Sequence, residues 1–188
     1  NIEDIGSMRI LPNMQIFVPF SSEDVFSSLM EMVKNSSPSY LRLNIASKQE
    51  NIAMFSQWRK IKHSVNSPKA VVIGTGTVTD NLFKLPDFLL DNLEIWLLSQ
   101  FPVDKIPSEL LESISLTKSL ITIEEHQGQC GLNEALGSLL LKQLNTSINF
   151  QTLFASGYPS GRYGSQQWHL EENSLAGQRL ENKIKGET

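Results

Sequence analysis

Cysteine, clustered basic residues and long apolar runs are all scarce in this sequence. Its single thiol, Cys130, cannot form a disulfide within the chain, and no basic start followed by an apolar stretch and a cleavage site opens the sequence. We therefore predict a reducing, cytoplasmic environment. No apolar run approaches the roughly 20 residues that cross a bilayer, so we predict no membrane partner.

Positive charge is also limited. Sixteen lysines and arginines face 20 aspartates and glutamates, which gives a formal net charge of −4 over 188 residues. The basic residues are dispersed apart from a short run at 59–63, so we expect no nucleic-acid partner. A hydrophobic fraction of 40% still allows a substantial core, and we expect a folded chain.

Metal ligands are sparse as well. One cysteine and three histidines contain no pair with the short spacing of a structural zinc site. Glu124 and Glu125 are adjacent at the end of a predicted strand, so their side chains should point to opposite faces. We expect no metal site here, and we interpret Cys130 as a small buried residue at the start of a helix.

The first part of the chain has the strand–helix–strand pattern of a parallel sheet. A β-rich run at 14–18 precedes a helix that Ser21 or Ser22 can cap, and a second strand follows at 37–43. Such a unit places two parallel strands side by side. We interpret residues 1–47 as the last piece of an incomplete α/β domain.

The polar interval from 44 to 68 has no sustained alternation. It ends in Asn-Ser-Pro, and Ile52, Phe55 and Trp58 are its expected packing residues. A stretch this long is unusual inside one compact domain, so we predict a connector at 48–68.

From residue 69 onward, strands and helices alternate clearly. Strands are predicted at 69–76, 93–101, 119–125 and 149–154. Helices are predicted in a region that contains Pro86 and at 108–116, 131–144 and 173–186, the last capped by Asn173 or Ser174. This alternation predicts a three-layer α/β/α domain with a mainly parallel sheet at 69–188.

Two glycine-containing segments of this domain are candidate ligand-binding segments. Gly74 and Gly76 follow a strand, but Thr79 replaces the third glycine of a dinucleotide fingerprint, so we favour a simple glycine turn. The loop at 156–168 contains Arg162, glycines and tyrosines at the carboxyl side of the sheet, where ligands and partner chains bind. Two interpretations of this segment remain open: a packed surface loop and a loop that faces a substrate.

Five segments resemble, in the same order, segments of the transketolase family of thiamine-diphosphate enzymes. The end of the family's pyrimidine-binding domain is similar to NIEDIGSMRILPNMQIFVPFSSEDV, and the strand after it is similar to SPSYLRL. The family's carboxyl-terminal domain is similar to KAVVIGTGTVTDN, then to LEIWLLSQFPVDKIPSELLES and then to SLITIEEHQGQCGLNEALGSLLL. The shared order makes the resemblance specific.

The resemblance implies that 1–47 ends a pyrimidine-binding domain and that 69–188 is a transketolase carboxyl-terminal domain. Enzymes of this family use thiamine diphosphate and Mg²⁺ to transfer a two-carbon ketol unit between sugars. Their cofactor-binding and catalytic residues lie in segments that match nothing in this chain, so the resemblance implies no catalytic, cofactor-binding or metal-binding residue here. It implies a fragment that is inactive alone, has the missing pyrophosphate- and pyrimidine-binding domains as partners, and belongs to a homodimer.

The sequence also departs from the family pattern. Ile45 stands where many members have an arginine that helps hold a substrate phosphate, and Cys130 and Asn133 replace glycines. In the family the carboxyl-terminal domain frames the substrate entrance. The resemblance therefore makes Arg42, His126 and Arg162 candidate substrate-binding residues.

Other functions remain open within and beyond this family. One is the beta subunit of a 2-oxoacid dehydrogenase, and another is a deoxyxylulose phosphate synthase. A third is a non-catalytic interaction module derived from the same fold. Because the first domain is incomplete, we also expect its exposed apolar surface to drive self-association.

Overall fold

The computed structural model describes residues 2–45 and 55–186. The helices in these residues are α1 Asp4–Arg9, α2 Ser22–Lys34, α3 Asp87–Leu90, α4 Ser108–Thr117, α5 Leu132–Gln143, α6 Gln166–Glu172 and α7 Gly177–Lys185, with a 3₁₀-helix at Thr77–Lys84. The strands are β1 Gln15–Phe17, β2 Ser39–Leu41, β3 Trp58–Lys62, β4 Ala70–Gly74, β5 Leu93–Leu98, β6 Gln100–Phe101, β7 Ser119–Ile123 and β8 Asn149–Leu153. No helix among them is long and apolar enough to cross a membrane.

The larger sheet has five strands in the order β3-β5-β4-β7-β8. The pairs β4–β5, β4–β7 and β7–β8 are parallel, and only β3 pairs antiparallel. Every residue of β4 and of β5 is buried, because helices cover both faces of the sheet. The predicted mainly parallel α/β/α domain is confirmed.

Strand β3 corrects the interpretation of 48–68 as a connector. Trp58–Lys62 pairs antiparallel with β5 and forms an edge of the sheet. Its charged side chains gave the segment a polar appearance, and charged residues are common on edge strands because they discourage further pairing. Phe55 and Trp58 are half-buried, as the packing prediction requires, whereas Ile52 lies outside the described residues.

A second, three-stranded sheet connects the early and late parts of the chain. Its order is β2-β1-β6, with β1–β2 parallel and β1–β6 antiparallel. The predicted strand at 93–101 is therefore two strands, because the chain leaves β5 and joins the smaller sheet at β6. Val18 N–H donates to the carbonyl of Ser99, the residue at the break, at 2.9 Å.

Two apolar clusters form the core on opposite faces of the larger sheet. One contains Leu110 from α4 and Leu136 from α5, and it also includes Ile5 and Ile16 from the first part of the chain. The other contains Leu82 from the 3₁₀-helix and Leu180 from α7. Residues of 2–45 thus share a core with residues of the later α/β domain.

Several helix boundaries differ from the predictions. The region around Pro86 is a 3₁₀-helix and the short α3, since proline favours a helix start and disrupts a helix interior. The predicted closing helix at 173–186 begins later, at Gly177, as α7, and Asn173 is the C-cap of α6 instead of the N-cap of the closing helix. Helix α6 begins inside the predicted 156–168 loop, where Ser165 accepts a hydrogen bond from the backbone N–H of Trp168.

Candidate functional site

A cavity of about 460 Å³ lies at the carboxyl ends of β2, β7 and β8. The start of α1, the segment after β2, the residues after β7 and β8, and α6 with its following turn line it. Its lining residues are Ile2, Asp4, Tyr40, Arg42, Leu43, Asn44, Glu125, Ala155, Gly157, Tyr158, Tyr163, Gln166, His169, Leu170, Asn173 and Leu175. Its volume is within the range of small-molecule sites, roughly 300–1,000 Å³.

Three charged residues form one wall of this cavity. The Arg42 guanidinium forms an ion pair with Asp4 through Nη1 and lies 3.4 Å from Glu125 Oε1 through Nε. Asp4 and Glu125 are both 7% exposed. Because buried carboxylates need charge and hydrogen-bond partners, Arg42 stabilises both and joins α1, β2 and the end of β7.

Neutral polar side chains complete the network. Tyr40 O–H donates to Asp4 Oδ2 at 2.8 Å, and both its burial and this hydrogen bond raise the pKa of the Tyr40 phenol. Asn44 Nδ2 donates to Glu125 Oε1 at 2.5 Å, and Gln166 Nε2 donates to Glu125 Oε2 at 3.3 Å. Hydrogen-bond donors in the wall are therefore directed at the two carboxylates.

An aromatic cluster also lines the cavity. The ring centroids of Tyr158 and Tyr163 are 5.0 Å apart, and those of Tyr158 and His169 are 5.2 Å apart. Gly164 N–H donates to His169 Nε2 at 3.2 Å, which ties the loop to α6. A Cβ at Gly164 would lie 2.6 Å from Trp168, so only glycine lets the loop approach this closely.

The three candidate residues predicted from the sequence occupy different places. Arg42 lines the cavity, where it is paired with Asp4 and Glu125. His126 is 1% exposed and does not line the cavity, and Arg162 is exposed and does not line it either. Their roles in substrate binding stay predictions, with Arg42 the one that faces a cavity.

His126 belongs to a buried group at the start of α5. Its Nε2 lies 2.6 Å from Glu124 Oε2. Glu124 is fully buried and accepts from Leu132 N–H at 2.6 Å and Asn133 N–H at 3.1 Å, so its carboxylate caps α5. Glu124 thus points to the helix while Glu125 points to the cavity, as their alternation along a strand predicts.

Cys130 differs from its predicted role. Its side chain is half-buried, and its backbone lies in the left-handed region with φ 54°. The carbonyls of Cys130 and Gly131 both accept hydrogen bonds from Arg9 Nη1. The residue belongs to a turn before α5 whose backbone carbonyls are held by the Arg9 side chain of α1.

The cavity does not suit the diphosphate and Mg²⁺ of the family's cofactor. Arg42, the one guanidinium among the described lining residues, is already paired with two carboxylates, and the three groups carry a formal charge of −1. A diphosphate needs a surplus of hydrogen-bond donors and positive charge. We derive no catalytic step from this cofactor.

Sequence reasoning missed most of the residues that surround Arg42. Asp4, Asn44 and Gln166 come from three separate segments, and only Glu125, at a strand end beside Glu124, stood out in the sequence. The parallel order of β7 and β8 could have indicated this site, because residues that follow parallel strands meet at one edge of the sheet.

Comparison with known proteins places this fold among transketolases. One similar structure is a chain described as a split-gene transketolase, inactive β4 tetramer, with a TM-score of 0.76 and 23% identity over 98% of this chain and 60% of that one. Another is transketolase from Campylobacter jejuni subsp. jejuni NCTC 11168, with a TM-score of 0.68 and 15% identity over 99% of this chain. No family model and no curated protein matches the sequence.

The chain is shorter than both of these proteins. It spans 60% of the split-gene chain and 28% of the Campylobacter enzyme. At these identities the likeness establishes the fold, which is that of transketolase chains.

Proposed function

We propose that this chain is the carboxyl-terminal part of a transketolase-like enzyme that transfers a two-carbon ketol unit between sugars with thiamine diphosphate and Mg²⁺. One observation carries the proposal: the structural likeness covers 98% and 99% of this chain in the two relatives and so includes the first 45 residues. A free-standing α/β domain would match over the later part only.

In this proposal, 1–47 ends a pyrimidine-binding domain, 69–188 is the transketolase carboxyl-terminal domain, and the remaining domains come from elsewhere. Ile5 and Ile16 pack in the same cluster as Leu136, so in this proposal the two parts form one packed unit. The present chain would stabilise the assembled enzyme, and Arg42 would lie near the substrate entrance. We propose homodimeric assembly of the enzyme and a cytoplasmic location.

A reconstitution experiment tests the ketol-transfer proposal. The chain is combined with pyrophosphate- and pyrimidine-binding domains that complete the proposed enzyme, and transfer from a ketose to an aldose is measured with thiamine diphosphate and Mg²⁺. We expect activity from the combination and none from the 188-residue chain alone. A combination that binds the cofactor but transfers no ketol unit to a broad panel of aldoses contradicts the proposal.

The pairing of Arg42 favours a second candidate, a non-catalytic assembly module. Its guanidinium is paired with two carboxylates, and Ile45 supplies no second positive charge. A module of this kind would bind its partner domains without supporting turnover. Stable complex formation together with absent ketol transfer would favour this module over the enzyme.

A further inference from the structure

The charged residues of the cavity beside Arg42 favour a cationic ligand over an anionic one. Asp4 and Glu125 face one guanidinium, so the charged side chains among its described lining residues sum to −1. An anionic ligand would meet a net negative wall, whereas a cationic ligand would neutralise it.

The hydrogen bonds of this wall favour a ligand with many donors, independently of its charge. The Tyr40 hydroxyl donates to Asp4, and the amides of Asn44 and Gln166 donate to Glu125. Ionised carboxylates only accept hydrogen bonds, and Asp4 Oδ2 and Glu125 Oε2 each have a lone pair beyond the bond described, so the wall offers acceptors while these donors are already engaged. A ligand rich in hydroxyl and amine donors matches this arrangement.

The cavity lining also includes an aromatic surface. Tyr158, Tyr163 and His169 form a cluster with centroids about 5 Å apart, and Tyr163 is 84% exposed. Aromatic faces attract organic cations and pack against the apolar faces of sugar rings. A cavity that combines an acceptor-rich wall with an aromatic surface is suited to a ring that carries both hydroxyls and a positive charge.

We propose that this cavity binds a small polyhydroxylated amine of the amino-sugar class and excludes phosphorylated sugars. The ammonium group pairs with Glu125, hydroxyl groups donate to Asp4 and to the side-chain amide oxygens, and the ring packs on the tyrosines. The proposal rests on the cavity and not on ketol transfer.

Three matched probes test the charge preference. Calorimetry without thiamine diphosphate compares glucosamine, glucose and glucose 6-phosphate, at a pH below the pKa of the amine. We expect glucosamine to bind about tenfold more tightly than glucose, the factor expected from one charge-assisted hydrogen bond, with no binding of the phosphate ester. Equal binding of glucosamine and glucose, preferred binding of the phosphate ester, or no binding of glucosamine overturns the proposal.

Variants then locate the site. Glu125→Gln removes the surplus charge while retaining a side chain of similar shape, and should abolish the preference for glucosamine over glucose. Glu109→Gln makes the same change in net charge at a largely exposed side chain outside the cavity, and should leave that preference intact. An undiminished preference in Glu125→Gln contradicts the assignment.

A third variant keeps the test independent of the buried network. Tyr163→Ala removes a largely exposed ring and leaves every charged residue of the wall in place. We expect it to weaken glucosamine binding by about tenfold, the upper part of the range for aromatic and cation–π contacts. Unchanged affinity overturns the aromatic part of the proposal. Because these experiments measure binding without cofactor, their failure is distinguishable from failure of the ketol-transfer proposal.

Discussion

Arg59 of β3 forms a buried bidentate ion pair with Asp24 of α2. Arg59 Nη1 lies 2.8 Å from Asp24 Oδ1, and Nη2 lies 2.5 Å from Asp24 Oδ2. Both residues are 4% exposed. The pair joins the first part of the chain to the edge strand of the larger sheet.

Breaking this pair should strongly destabilise the protein. Asp24→Asn would remove the carboxylate charge that pairs with the buried guanidinium, and we expect the free energy of unfolding to fall by about 3 kcal/mol. Glu31→Gln is the control, because the Glu31–Lys34 pair lies on an exposed helix surface and contributes little. Chemical denaturation of both variants measures the difference, and an equal, small effect would contradict the structural role.

Two glycines of the α5 region should respond in opposite ways to alanine. A Cβ at Gly131 would lie 2.3 Å from Glu124 Oε2, so Gly131→Ala should displace the capping carboxylate and cost about 2 kcal/mol. At Gly137 the nearest atom is Phe150 Cε1 at 3.7 Å, so Gly137→Ala should stabilise α5 by about 0.5–1 kcal/mol. Thermal or urea unfolding compares them. Stabilisation by both would refute the close packing of Glu124.

Tyr40 should make the stability depend on alkaline pH. Burial and the hydrogen bond to Asp4 raise the pKa of its phenol in the folded protein above its value in the unfolded chain. The stabilisation is therefore complete below the unfolded pKa, near 10, and is lost as the pH rises through the higher folded pKa. Ultraviolet titration of wild-type protein and Tyr40→Phe should show one late-ionising tyrosine that the variant lacks. If both titrate alike, Tyr40 is not the shifted group.

The exposed side of α2 should promote self-association. Phe26 is 69% exposed and Val33 is 80% exposed, and Leu29 and Met30 of the same helix are also exposed. We expect sedimentation velocity to show concentration-dependent association that a Phe26→Ser/Val33→Lys double variant reduces. Leu141→Lys on α5 is the control, because Leu141 is an exposed residue on another helix. A monomer at all accessible concentrations would refute this expectation.

The main strands were predictable because their residues are apolar on both faces. Val72 and Ile95 are fully buried, and such continuous apolar runs identify the parallel core. Strand β3 was missed for two reasons. It pairs with β5, which comes later in the chain, so the pairing exists only in the folded protein. Lys60 and Lys62 also interrupt any apolar pattern that would have identified the segment as a strand. Local sequence therefore identifies the core strands more reliably than the edge strand that completes the sheet.

The cavity was harder to predict for the same reason. Asp4 and Gln166 are separated by most of the chain, and each looks like an ordinary helix residue in its own segment. They meet because Asp4 approaches Arg42 and Gln166 approaches Glu125, and these contacts depend on the completed fold. Contacts between polar residues that are far apart in the sequence leave no local periodic pattern.

The pairing of β1 with β6 imposes an order on folding during synthesis. Ile16 and Phe101 are partners in the smaller sheet although a long stretch of chain separates them. The amino-terminal segment leaves the ribosome first, yet β1 remains without one neighbour until Phe101 has emerged. The nascent chain therefore carries an unfinished sheet edge while the residues between β1 and β6 are synthesised, the interval in which a chaperone or a partner domain has most to contribute.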